Sequence, residues 1–122
     1  MAAVARVVER VIDQPASGVV IDTEHLSRMT LGELSLQREV LALFDRQADM
    51  LLPRIRQGAP AMAAASAHTL KGSAVGIGAF KVARAVEQVE QARDMEIGAA
   101  VETLAAVLEE TKAEIARLLQ AA

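Results

Sequence analysis

The chain has 122 residues, 52% of them hydrophobic and 24% charged, which is the size of one domain with enough apolar residues for one core. It has no cysteine, which excludes disulfides, thiolate zinc sites and cysteine nucleophiles, and its two histidines, His25 and His68, are too few for a histidine-rich metal cage. Aromatics at 2% and a net charge of −3 leave neither the stacking platforms nor the basic surface that nucleic acid needs.

The N-terminus, MAAVARVVERVID, interrupts its valines with Arg6, Glu9, Arg10 and Asp13. It therefore lacks the apolar core of a signal peptide and the roughly 20 apolar residues of a membrane span, and a cytoplasmic location is expected. Alanine makes up about a fifth of the chain and proline stands only at positions 15, 53 and 60, so summed helix propensity is high and the expected fold class is all-α. The breakers Pro15 to Gly18, Gly58 to Pro60, Gly76 to Gly78 and Gly98 divide it into helical stretches. Residues 2–13 set Val4, Val7, Val8, Val11 and Ile12 on a narrow stripe that could cap one end of a bundle. Gly18 to Ile21 reads as an extended link.

Asp22 or Thr23 can N-cap a short helix containing Leu26 and Met29, and Ser35 can cap a longer one running to about Gln57. In the longer helix Leu36, Val40, Leu43, Phe44, Ala48, Leu51, Leu52 and Ile55 form one broad apolar face, and Pro53 predicts a kink or local irregularity near Asp49 to Pro53. Pro60 suits the first turn of the next helix, which should run to about Val75 with Ala63, Ala67, Leu70, Ala74 and Ile77 inward. At 100° per residue His68 falls on the opposite face. A helix over about 79–95 should bury Val82, Val86 and Val89. The last, over about 98–120, carries Val101, Leu104, Leu108, Thr111, Ile115 and Leu118 at the three-four spacing of a bundle seam. The expected architecture is an antiparallel four-helix bundle with additional short N-terminal helices, with residues 1–21 as an ancillary helix and link and 22–122 as the bundle.

The informative segment is Ala67-His68-Thr69-Leu70-Lys71-Gly72-Ser73-Ala74-Val75-Gly76-Ile77-Gly78-Ala79. Gly72 stands inside a helix where alanine would be better by about 1 kcal/mol, so something other than helix stability should explain it. Residues three and four apart are neighbours on a helix surface, which puts Lys71 and Gly72 one turn beyond His68 and Gly76 a further turn along. An exposed imidazole, a cation and bare backbone fit phosphoryl chemistry. Neutral imidazole is a good nucleophile, ordinary imidazole is mostly neutral at pH 7, and phosphoryl transfer needs positioning and charge neutralisation more than covalent help. Each residue also has an ordinary reading: an isolated surface histidine, a solvated lysine, glycines that let two helices approach. His25 has only Arg28 for company and reads as incidental, and Glu87 and Glu90 read as a solvated helix face.

His68-Thr69-Leu70-Lys71-Gly72-Ser73-Ala74, followed by Gly78-Ala79 and a helix with Glu87 and Glu90, resembles the signature of histidine-containing phosphotransfer (HPt) domains. The likeness extends to the helix with Phe44 and covers about residues 22–120. It implies a carrier in a multistep two-component phosphorelay: His68 as phosphoacceptor, Lys71 as the phosphoryl-stabilising cation, Gly72 as the position permitting close approach, and Ser73 and Gly78 as motif positions of more structural character. The implied partners are receiver domains of response regulators and of a hybrid histidine kinase, with no ATP site, cofactor or metal on the chain itself and Mg²⁺ on the receiver. Glu90 departs from the pattern, because some members place an amide near the histidine there.

Three competing readings are separable. A histidine-kinase dimerisation domain typically has an acidic residue after its histidine, where this chain has Thr69. The phosphotransfer module of a chemotaxis-type kinase shares the motif, but a chain that starts at Met1 and closes on a helix is expected to be complete. In the third, a helical adaptor, His68 would be incidental and no receiver would phosphorylate it.

Overall fold

The computed structural model describes residues 18–121, and the helix expected over 2–13 lies outside the described residues. Five helices follow one another: α1 (Thr23–Met29), α2 (Leu34–Gln57), α3 (Pro60–Ile77), α4 (Phe80–Gln91) and α5 (Glu96–Gln120). Among the described residues there is no strand.

Local chemistry sets the boundaries. Asp22 caps α1, its carboxylate accepting the His25 amide at 3.0 Å. The turn after α1 holds Leu31 at φ 55° and Gly32 at φ 73°, and the Glu33 amide donates to the Thr30 carbonyl at 3.0 Å. That turn delivers the chain into helix earlier than Ser35 would. Glu33 is the N-cap, with no side-chain cap bond, and the expected Ser35 cap is corrected: Ser35 lies in the first turn. α2 then runs unbroken through Pro53. Pro53 and Asp49 are both exposed, so the carbonyl that loses its partner at a helical proline faces water.

Pro60 opens α3 as expected, but α3 continues two residues past Val75, to Ile77. Its end is a Schellman turn. Gly78 takes φ 81°, its amide donates to the Val75 carbonyl at 3.1 Å and the Ala79 amide to the Ala74 carbonyl at 2.8 Å. α4 stops at Gln91, short of the expected 95, and α5 begins at Glu96.

α3 packs against α2 and α4, α5 packs against α4 and α2, and α1 lies on α3, so four long helices close a ring around one core. The α5 seam follows its spacing at Val101, Leu104, Leu108, Thr111 and Ile115, which are buried, while Leu118 is half-buried, and the Thr111 hydroxyl is satisfied by the Val107 carbonyl at 2.8 Å. Ala67, Leu70, Ala74 and Ile77 face inward from α3, as do Val82 and Val86 from α4, while Ala63 and Val89 are half-buried. The apolar face of α2 is as expected at Phe44, Ala48, Leu51 and Ile55, which are buried, but not at Leu36, Val40, Leu43 and Leu52. Leu41 is buried, whereas Leu43 is 46% exposed. Outside the core, Lys112 on α5 pairs with Asp45 and Asp49 on α2, and the Asp49 hydrogen bond holds its ammonium above the ordinary lysine range. Such exposed pairs are worth about 0–1 kcal/mol each.

Two glycines of α3 and its cap should respond oppositely to a methyl group. A Cβ on Gly78 would sit 2.6 Å from the Asp22 carbonyl oxygen at a left-handed φ, so Gly78→Ala should lower stability by about 1–3 kcal/mol in urea unfolding. A Cβ on Gly72 would meet nothing within 4 Å, so Gly72→Ala should raise it by about 0.5–1 kcal/mol, with m unchanged in both.

Candidate functional site

His68 stands on the outer face of α3, exposed, with its neighbours Ala67 and Leu70 buried beneath it. No hydrogen bond or ion pair among the described residues engages its ring. Lys71, one turn on, is half-buried at the α3–α4 boundary, where its Nζ meets Glu90 Oε1 of α4 at 2.9 Å. Gly72 is exposed and Gly76 half-buried. The geometry therefore brings His68, Lys71 and Gly72 onto one surface, and it adds Glu90, which the sequence reading left as solvated.

The glycines can be tested against their ordinary explanation. If they let two helices of this chain approach, an added Cβ would collide with a neighbour. At Gly72 and at Gly76 it would meet nothing within 4 Å. Among the described residues their bare backbone serves no contact with another helix, and the space beside them is open.

A shallow groove of about 300 Å³ runs from that surface between α1, α2 and α3. Met29, Leu36, Val40 and Leu43 line it on one side and Ser73 and Gly76 on the other. Its apolar lining went unrecognised in the sequence because Leu36, Val40 and Leu43 were assigned to the core. The available signal was width: with Leu41 and Leu52 the apolar arc of α2 exceeds what one inward face needs.

His25 is a structural residue. Its Nε2 lies 2.9 Å from the Val75 carbonyl, so that nitrogen carries the hydrogen and donates, and the ring meets Phe80 edge-on at 5.1 Å between centroids. It pins α1 to the last turn of α3. Among the described residues no group of three or more histidine and carboxylate side chains could hold a metal ion, and no helix is long and apolar enough to cross a membrane.

A family model for the Hpt domain matches residues 39–121. The chain belongs to the Hpt domain family. Neither the curated proteins nor the solved structures yield a match. Hpt domains are phosphocarrier modules of two-component phosphorelays that interact with receiver domains. The matched span takes in the whole of α3, α4 and α5 and most of α2. The Hpt match leaves out α1, so the His25 pin is a contact between the Hpt span and a preceding segment. His25→Ala should lower stability by about 1–2 kcal/mol in chemical unfolding, through loss of the bond and the ring contact. Phosphorylation of the folded Hpt surface should be unchanged, as measured by radiolabel incorporation.

Proposed function

We propose that this protein is a histidine phosphotransfer protein of a multistep phosphorelay, in which His68 accepts a phosphoryl group from the aspartate of one receiver domain and passes it to another. The observation that carries the reading is the pairing of an exposed imidazole, unengaged among the described residues, with glycines beside which those residues leave open space. In the transfer, the lone-pair nitrogen of neutral His68 attacks phosphorus, the P–O bond to the receiver aspartate breaks, and the carboxylate leaves with the bonding pair. Lys71 supplies positive charge beside the transferring oxygens, and Gly72 keeps its turn of α3 low enough for the receiver's active site to close over the imidazole.

The partners in this reading are receiver domains of response regulators and of a hybrid histidine kinase. The apolar groove beside Gly76 offers a receiver a water-excluding contact next to the histidine. The carrier needs no ATP site and no cofactor of its own, with Mg²⁺ on the receiver, and it works in the cytoplasm. The two-residue connections Gly58-Ala59 and Gly78-Ala79 and the closed ring of helix contacts support an antiparallel four-helix arrangement, which leaves one face of α3 free for docking.

Incubation with phosphorylated receivers tests the assignment. His68→Gln should abolish labelling, and the wild-type adduct should be labile in acid and stable in base, as a phosphoramidate is. Lys71→Ala should slow transfer by about 10- to 1000-fold, the scale for losing one charged stabiliser. Retained labelling of His68→Gln, or an acid-stable adduct, overturns it. Gly72→Gln should slow transfer from a receiver while circular dichroism still reports the folded bundle, and normal rates would remove the access argument.

A further inference from the structure

Lys71 is an engaged cation in the resting protein. Its Nζ donates to Glu90 Oε1 at 2.9 Å, across from α3 to α4, with side chains 23% and 33% exposed. An ammonium has three donors, so this bond leaves others available, but the charge of the pair sums to zero. A phosphoryl group on His68 would therefore arrive one turn away from a neutralised lysine and a nearby carboxylate.

We infer that Glu90 is a tuning residue for the transfer: it holds Lys71 in the resting state, competes with the phosphoryl oxygens for the same ammonium, and so makes His68 a less retentive acceptor. The inference rests on His68 being the phosphoacceptor. It acts through Lys71, because the contact the structure gives Glu90 is with Lys71 and none is with His68. When phosphorus bonds to the imidazole nitrogen and the donor oxygen leaves, about two negative charges remain on the phosphoryl group. Those oxygens are a stronger partner for Nζ than one carboxylate, so the ammonium turns toward them, and Glu90 is left to water, which it reaches readily at one-third exposure. Departure of the phosphoryl group restores the ion pair. The pair thus favours the unphosphorylated state and helps the group leave.

Removing the negative charge while keeping the shape should free Lys71. The test is a double-mutant cycle on the full chain: wild type, Glu90→Gln, Lys71→Ala and both together. Each is labelled with phosphoramidate, a small donor that needs no receiver, and separately equilibrated with a phosphorylated receiver. Glu90→Gln should raise the phosphoramidate labelling rate of His68, and its phosphorylated fraction at equilibrium, by about 2- to 5-fold, the scale of a half-exposed ion pair. The gain should shrink in 1 M salt. In the Lys71→Ala background the same substitution should change neither, whereas a purely structural role for Glu90 would move the melting temperature and leave these ratios alone. No gain from Glu90→Gln, or an equal gain without Lys71, overturns the inference. Failure of every receiver to transfer while phosphoramidate still labels His68 overturns the proposed relay function and leaves the Glu90 result readable. Failure of both donors overturns both.

Discussion

Gly78 takes a left-handed φ of 81° so that its own amide and that of Ala79 can turn back onto the last free carbonyls of α3. Its carbonyl then points outward and accepts the Asp22 amide at 3.0 Å. Asp22 is also the cap of α1, and the α1 residue His25 returns a second bond to α3 through the Val75 carbonyl. One turn therefore ends α3, starts the approach to α4 and receives α1. A side chain at Gly78 would strike the Asp22 backbone, so all three functions depend on the absence of one carbon.

α3 is built with two unlike faces. Inward, Ala67, Leu70 and Ala74 are almost wholly buried, and alanines on either side of one leucine let α2 and α4 approach closely. Outward, the helix carries Gly72 and Gly76, where no packing among the described residues asks for glycine. Each glycine costs about 0.5–1 kcal/mol against alanine. Burying Phe44, Leu104, Leu108 and Ile115 stabilises the domain by about 1.5–3 kcal/mol per side chain. The cost of two outward glycines is small against the burial supplied by the shared core, to which the inner face of α3 itself contributes.

The parts of this architecture most legible in the sequence are those where one physical rule acts alone. The α5 seam follows from helical periodicity, and Pro60 and Asp22 mark helix starts through the backbone groups they lack or satisfy. The inner stripe of α3 could be read because only small and apolar residues recur there. Ser35 misled because a good capping side chain was outweighed by the turn at Leu31 and Gly32, which commits the backbone to helix at Leu34. Leu43 misled because periodicity counts apolar residues without saying which neighbour each one meets, and α2 spends part of its apolar arc on a groove. That His68, Lys71 and Gly72 share one surface was legible because they lie three and four residues apart on one helix. The Lys71–Glu90 pair and the His25–Val75 bond were not, since their partners lie 19 and 50 residues apart and meet only once the Gly78 corner is turned.

A carrier differs from a catalyst in what its site must avoid. An enzyme lowers a barrier by gripping the transition state more tightly than what precedes it. A relay protein must also release what it has taken, so a site that bound the phosphoryl group strongly would become its end point. His68, as the proposed acceptor, suits this need, because its side chain is exposed and no hydrogen bond or ion pair among the described residues engages its ring. Positive charge remains necessary at the moment of transfer, when the oxygens of two partners crowd together and water is excluded. A lysine balanced by a glutamate at the edge of solvent reconciles the two demands. In water the pair is worth little, so the ammonium moves readily. In the proposed relay a docked receiver would lower the local dielectric and strengthen both attractions of that ammonium, to Glu90 and to the transferring oxygens, and the more highly charged phosphoryl group would gain more.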